Sequence, residues 1–188
     1  PFANPFAQLH LPKLSAEQQP NLPLITLACR SADAPLSLGN LTTILQDGEK
    51  TYEAIEKAIL AAKHHIHVIF YIIRDDETGR WLRTLLVQCA QDGIQVRFLY
   101  DGLGSFALTD AFWKPLRDAG GKVEAFLPLH FGNFTLSSNM NFRNHRKLVI
   151  VDGQIGLLGG INIGDEYLGK EPNQPWRDTH VRLEGSAV

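Results

Sequence analysis

The sequence predicts an α/β domain whose mixed, mainly parallel β-sheet is flanked by helices on both faces. Strand-like and helix-like runs alternate from Leu41 to about Leu129, which is the pattern of repeated βαβ units with a parallel sheet. From about Arg143 the rhythm changes to strand, tight turn and strand without a helix between. The chain has 188 residues, 44% of them hydrophobic, which is enough for one sizeable core.

Each predicted element follows from the spacing of its apolar residues. LTTILQ predicts a strand, and DGEKTYEAIEKAILAAK a turn followed by a helix with one apolar face. The aromatic and β-branched content of HIHVIFYII predicts a buried strand. Helix, strand, helix and strand are then predicted, in order, from DDETGRWLRTLLVQCAQDG, IQVRFLYDG, LTDAFWKPLRDAGG and GKVEAFLPL.

Residues 1–38 are predicted to form a linker or N-terminal extension, and residues 39–188 the domain itself. Six of the ten prolines lie in the first 40 residues, whose one apolar stretch, LPLITLACR, predicts one short helix. The first residue is proline rather than methionine, which suggests that the natural chain begins further upstream.

The overall composition bears on the class of partner and on the compartment. A net charge of -2 provides no positive field for a polyphosphate backbone, so a nucleic-acid partner is not expected. Two cysteines cannot form a disulfide framework; Cys29 and Cys89 fit a reducing compartment, with Cys89 in the core. The chain as given also shows no apolar run of about eighteen residues and no signal-peptide pattern.

The segment NHRKLVIVDGQIGLLGGIN, residues 144–162, begins a strand with basic side chains. Side chains two apart share one face of a strand, so His145 and Lys147 project together while Arg146 points away. A general base or nucleophile then stands beside a fixed cation. A solvated strand entrance is the alternative, and the segment by itself leaves it open.

The second half of this segment is predicted to fold back on the first. Asp152 and Gly153 are a strong signal for a two-residue hairpin turn, which would pair Val151 with Gln154. Counting back along both strands then places His145 opposite the second glycine of GGIN.

The GGIN sequence is predicted to complete an anion site around the histidine. Gly160 lets backbone amides approach a ligand closely, and Asn162, within reach of His145 and Lys147, adds an amide donor. A histidine, an ammonium group and an amide around one oxyanion suit a phosphate.

Two carboxylates compete for the task of orienting the imidazole. Seven residues of extended strand would place Asp152 roughly 23 Å from His145, so Asp152 is predicted to form the turn or bond backbone there. Asp178, in PWRDTHVRLEG, is the better candidate, because a later strand beside the hairpin can bring it to the second imidazole nitrogen. His180 in the same segment is predicted to be structural.

The pattern H-x-K, four residues, D, six residues, G-G-x-N resembles the signature of the phospholipase D superfamily. KHHIHVIFYIIRDDETG, VRFLYDGLGS, GGINIGDEYLG and WRDTHVRLEGSAV are similar to bacterial cardiolipin synthases, and the resemblance covers about residues 36–188. It implies one half of a phospholipase D-like fold. Enzymes of this kind carry two such motifs that face each other across one site. This chain has one motif, and by the resemblance it would correspond to their first half.

The resemblance implies a phosphodiester exchange through a phosphohistidine, without a metal or other cofactor, at the bacterial cytoplasmic membrane. Phosphatidylglycerol would be the substrate. His145 would be the nucleophile or its acid–base partner, with Lys147, Asp152 and Asp178 in the catalytic set. Lys147, Asn162 and Gly160 would hold the phosphate. The second half of the full-length chain, or a homodimer partner, would complete the site.

Two other functions stay open on the sequence. A single-motif phosphodiesterase or nuclease could complete its site by homodimerisation, although its groove should carry many more Lys and Arg. A non-catalytic lipid-binding half-domain is the third reading.

Three further groups of polar residues or glycines are predicted to have structural rather than functional roles. A metal site at the histidines of KHHIHV lacks an obvious third ligand, so a helix end followed by strand entry is expected. The acidic run DDE is predicted to cap a helix, and DGLGS to be a turn at the mouth of the site. The residues concerned are His64, His65, His67, Asp75, Asp76, Glu77 and 101–105.

Overall fold

The computed structural model describes residues 15–32, 36–128, 142–169 and 176–188. The helices in these ranges are α1 (Leu22–Ala32), α2 (Asp47–Leu60), α3 (Glu77–Gln91) and α4 (Asp110–Asp118). The strands are β1 (Leu41–Gln46), β2 (His65–Phe70), β3 (Gln95–Asp101), β4 (Lys122–Phe126), β5 (Leu148–Val151), β6 (Ile155–Gly159) and β7 (Thr179–Glu184). These elements confirm the strands and helices predicted in order from Leu41 onward.

The strands form one sheet in the order β1-β7-β6-β5-β2-β3-β4. The predicted mixed sheet flanked by helices is confirmed, but the expectation that parallel pairs predominate is wrong. Only β2–β3 and β3–β4 are parallel, whereas the other four pairings are antiparallel. The antiparallel pairs arise because β5, β6 and β7 follow one another antiparallel, because β5 lies antiparallel to β2, and because β1 pairs with β7 at the far edge. Sequence alternation does not encode which strands become neighbours.

Helices α2, α3 and α4 pack side by side on one face of the sheet. Alternate residues of the central strands point into this layer, as Ile66, Val68 and Phe70 of β2 do. Trp113 of α4 is fully buried in the same core. On the opposite face, Ile44 and Leu158 remain 67% and 43% exposed. Within the described ranges the expected helix cover is therefore found on one face only.

Two local expectations about the helices are confirmed. The Asp76 side chain caps α3 by accepting a hydrogen bond from the Gly79 amide at 2.8 Å, which satisfies one free N–H of the first turn. Cys89 is buried in the core, and burial raises the pKa of its thiol.

The N-terminal region contains the predicted short helix, α1, on which Leu24 and Leu27 are exposed. The sheet begins at Leu41, so the boundary at residues 38/39 stays a prediction, and residues 1–14 lie outside the described part. In the portions of the chain that the structure describes, no helix is both long enough and apolar enough to cross a membrane.

The β5–β6 hairpin differs from its predicted register by one residue. Val151 pairs with Ile155 rather than with Gln154, which stays in a three-residue loop and donates its N–H to the Val151 carbonyl at 3.0 Å. Asp152 and Gly153 both have positive φ, 55° and 63°, as the turn signal required.

The shift changes which residues face each other at the open end of the hairpin. Lys147 lies opposite Gly159, whose N–H bonds the Lys147 carbonyl at 3.3 Å. The predicted pairing of His145 with Gly160 is therefore wrong, because a one-residue slip moves every cross-strand partner.

Candidate active site

His145 and Lys147 meet just before β5, at the open end of the hairpin. Lys147 is buried, and its Nζ donates to His145 Nδ1 at 3.0 Å and to the His145 carbonyl at 2.8 Å. His145, in contrast, is exposed to solvent. Because Nδ1 contacts the ammonium group, Nε2 is the ring nitrogen available to a substrate.

Tyr71, directly after β2, forms a wall of this site. Its ring centroid lies 4.1 Å from that of His145, and Lys147 Nζ lies 5.2 Å from the Tyr71 centroid. The Tyr71 ring therefore contacts both residues, His145 by ring stacking and Lys147 by a cation–π contact. Tyr71 was not among the predicted site residues. The antiparallel pairing of Ile69 with Leu148 brings the end of β2 beside the start of β5, and no signal in the sequence indicates this pairing.

The surroundings favour the neutral form of the histidine. Partial burial, followed by the neighbouring Lys147 charge, lowers the pKa of His145, while Asp101 acts in the opposite direction. Burial also lowers the pKa of Lys147, and Asp178 opposes this. The neutral imidazole that a nucleophile requires is thus favoured at neutral pH.

Asp101, at the end of β3, fixes the backbone that leads to His145. The buried carboxylate accepts the N–H groups of Leu103 and Gly104 at 2.9 and 3.0 Å, and that of Asn144 at 3.0 Å. The DGLGS segment is a turn, as predicted, but the role of its aspartate at the site was missed.

Asn162 is buried and held at both ends of its amide. Oδ1 accepts from the Ile72 N–H at 3.0 Å, and Nδ2 donates to the Tyr167 hydroxyl at 2.9 Å. No hydrogen bond joins it to His145 or Lys147 among the described residues. The role of Asn162 in binding phosphate stays a prediction.

Asp178 lies against Gly160, where the carboxylate fills the space that a side chain would need. Its Oδ1 accepts the Thr179 N–H at 2.7 Å. In the described part of the chain no hydrogen bond connects Asp178 with His145, whose Nδ1 faces Lys147 instead. Its orienting role stays a prediction.

Asp152 occupies the other end of the hairpin. Its carboxylate accepts three backbone N–H groups, from Lys63, His64 and His65, at 2.8, 2.9 and 2.8 Å. Burial alone would raise the pKa of Asp152, but these donors outweigh it and lower the pKa. The interpretation of Asp152 as a backbone-bonding carboxylate is confirmed.

The histidines of KHHIHV lie at the entry of β2. The rings of His65 and His67 are 4.8 Å apart, and burial, then His65 and Arg97, lower the pKa of His67. Within the described ranges, no group of three or more His, Cys, Asp or Glu side chains is placed to hold a metal ion.

Comparison with solved structures defines the class of the fold. The phospholipase D family member Nuc from Salmonella typhimurium matches with a TM-score of 0.58 and 17% identity, over 78% of this chain and 84% of that one. Phosphatidylserine synthase from Haemophilus influenzae matches with a TM-score of 0.59 and 18% identity, over 77% and 33%. The fold is phospholipase D-like.

Sequence comparison identifies the family. A model described as "Cardiolipin synthase, PLD-like domain" matches residues 55–174. The cardiolipin synthase of Halalkalibacterium halodurans is 46% identical over 95% of this chain and 35% of its own length. The major cardiolipin synthase ClsA of Bacillus subtilis is 46% identical over 89% and 35%. The chain belongs to the cardiolipin synthase family of phospholipase D-like domains, and spans about a third of the length of these relatives.

Proposed function

We propose that the chain supplies one half of the active site of an enzyme that transfers a phosphatidyl group between two phosphatidylglycerol molecules. The products would be cardiolipin and glycerol. The observation that supports this most is the exposed His145 held by the buried Lys147 and stacked on Tyr71, in a chain 46% identical to cardiolipin synthases.

Two displacements at phosphorus account for the transfer. Nε2 of His145 attacks the phosphate of the first lipid, a P–N bond forms, and the P–O bond to glycerol breaks while an acid protonates the leaving alkoxide. The glycerol hydroxyl of a second lipid then attacks the phosphohistidine and loses its proton to the same group, now a base. The P–N bond breaks and His145 is regenerated.

The neighbouring groups would serve the developing charge. The Lys147 ammonium, the side-chain amide of Asn162 and the backbone at Gly160 would bind phosphate oxygens. Asp178 would stabilise the cationic imidazole of the intermediate once the ligand has drawn Lys147 away from Nδ1. This cradle uses the chain's own cations and donors, and the proposal includes no metal and no other cofactor.

The second histidine would come from another phospholipase D-like half, in the same full-length chain or in a homodimer partner. The site would work at the surface of the bacterial cytoplasmic membrane, where its lipid substrate lies. Nucleic acid is not the proposed substrate, because the net charge of -2 gives no basic groove.

The test compares the full-length enzyme with the 188-residue chain on phosphatidylglycerol vesicles. We expect equimolar cardiolipin and glycerol from the full-length enzyme and little or no product from the chain alone, with weak self-association in sedimentation. A stable dimer of the chain that turns over lipid would overturn the expected completion by a second half of the same chain and make a homodimer partner the source of the second histidine. A dimer that cleaves DNA or RNA would establish the homodimeric nuclease instead.

A further inference from the structure

His180 and Lys147 lie on two strand segments that flank Gly159, one on each side. Gly159 lies opposite His180 across β6 and β7, and opposite Lys147 on its other side. Neighbouring strands are about 4.8 Å apart, so the outer two Cα atoms are separated by about 10 Å. A Cβ at Gly159 would lie 2.6 and 2.8 Å from Cα and Cγ of His180. The glycine therefore leaves room for the imidazole beside the lysine.

The hydrogen bond of the His180 ring determines its tautomer. The ring is fully buried, and Nδ1 accepts the Ile161 N–H at 3.3 Å, which places the ring proton on Nε2. Nε2 has no hydrogen-bond partner among the described residues. A leucine would fill this space without burying an unpaired donor, so packing alone does not favour a histidine here.

Burial keeps the His180 ring neutral. Burial lowers the pKa of His180 to about 4, with Asp178 raising it and Lys147 lowering it. A neutral ring adds no second positive charge beside Lys147. Asp178 therefore remains the group that counters the lysine from this side.

We propose that His180 is a positioning residue of the active site, whose neutral imidazole fixes the Gly160–Asn162 backbone through Ile161 and fills the space that Gly159 leaves beside Lys147. This role rests on the proposed phosphatidyl transfer, in which Lys147 and Asn162 bind the phosphate. His180 itself touches no reacting atom.

The tautomer can be tested on the 188-residue chain without any activity. We expect ¹⁵N NMR of the labelled histidines to show His180 with an unprotonated Nδ1 and a protonated Nε2 from pH 5.5 to 8. Titration of His180 near the ordinary histidine pKa, or a proton on Nδ1, would overturn the proposal. This result does not depend on which reaction the site performs.

The positioning role is tested by three substitutions in the full-length enzyme. An asparagine places Oδ1 where Nδ1 accepts the Ile161 N–H, whereas glutamine reaches the Nε2 position and leucine offers no acceptor. We expect His180→Leu and His180→Gln to lower kcat about 10²-fold with KM for phosphatidylglycerol within threefold, and His180→Asn to recover at least a third of the activity.

The matched control is Leu45→Ala, which changes the buried residue opposite His180 on the side away from Lys147. It should lower the melting temperature and leave kcat unchanged. Equal kcat in the asparagine, glutamine and leucine variants, or losses that follow melting temperature across all four proteins, would contradict the proposal. Should the leucine variant fail to fold, the comparison of asparagine with glutamine decides the question.

Discussion

The two ends of the β5–β6 hairpin carry residues of one sequence motif and put them to different uses. At the turn, the charge of Asp152 is fully engaged by three backbone N–H groups that lead into β2. At the open end, His145 contacts Lys147 and Tyr71 through one nitrogen and one ring face, and the rest of its ring is exposed. The turn end of the motif stabilises the sheet, whereas the open end holds the exposed histidine of the candidate active site.

The energetics of the two ends are opposite. Three donors around one carboxylate favour its charged form and add stability to the folded chain. At the open end, burial lowers the pKa of Lys147, because the site holds an ammonium group that water would solvate better. A site that stabilises an incoming phosphate carries this charge, which Asp178 offsets only in part, before the ligand arrives.

The largest expected effect is at the open end. His145→Ala in the full-length enzyme should abolish phosphatidyl transfer, with a loss well beyond the roughly 10²- to 10⁴-fold typical of a missing general acid or base. The measurement is cardiolipin formed per enzyme, with His64→Ala as the control for loss of an exposed histidine. Turnover within tenfold of the parent would remove His145 from the mechanism.

Asp178→Asn should give the next largest loss of rate. Asparagine fills the same space against Gly160 but cannot stabilise a cationic imidazole, so we expect kcat to fall about 10²-fold. Thermal unfolding should show little change in melting temperature. A destabilised variant with normal kcat would show that Asp178 is structural and that this end has no orienting carboxylate.

Asp152→Asn should show the converse behaviour. The amide removes the charge and turns an NH₂ group toward backbone donors, which should cost about 1–3 kcal/mol of unfolding free energy. Denaturant unfolding of the 188-residue chain measures this, and kcat of the full-length variant at a temperature where it is folded should match the parent. A large loss of kcat there would place Asp152 in the reaction.

A smaller effect concerns the titration of His145. Burial and Lys147 both lower the pKa of His145, so Lys147→Met should raise it toward the ordinary value. In the parent, the neutral ring then persists until the pH falls through the lowered pKa, which sets the acid limb of the rate profile below that of a free histidine. NMR titration of the chain measures the shift, and an unchanged pKa in the variant would contradict the contact.

No change is expected on treatment with chelators. Lys147, Asn162 and the glycine backbone provide the counter-charge for phosphate, so EDTA should leave the rate of phosphatidyl transfer unaltered. Inhibition that zinc or magnesium reverses would point back to His64, His65 and His67.

The open end also shows how far sequence reasoning reaches. The H-x-K spacing predicted that His145 and Lys147 share a face, which follows from the two-residue period of a strand. The strand length predicted that Asp152 lies away from them, which follows from the rise of about 3.3 Å per residue. Tyr71 and Asp101 were missed because they lie at the ends of two different strands, β2 and β3. Their contact with the histidine segment depends on β5 lying beside β2 and on the turn after β3.

The sequence by itself determined the type and order of the elements, the cap at Asp76 and the turn at Asp152, because periodicity, capping and positive φ are properties of a few consecutive residues. The tertiary structure decided the antiparallel majority of the sheet, the one-residue shift of the hairpin and the row Lys147–Gly159–His180. Strand order and register are set by the packing of the whole sheet against its helices, since shifting a strand by one residue exchanges its buried and exposed faces.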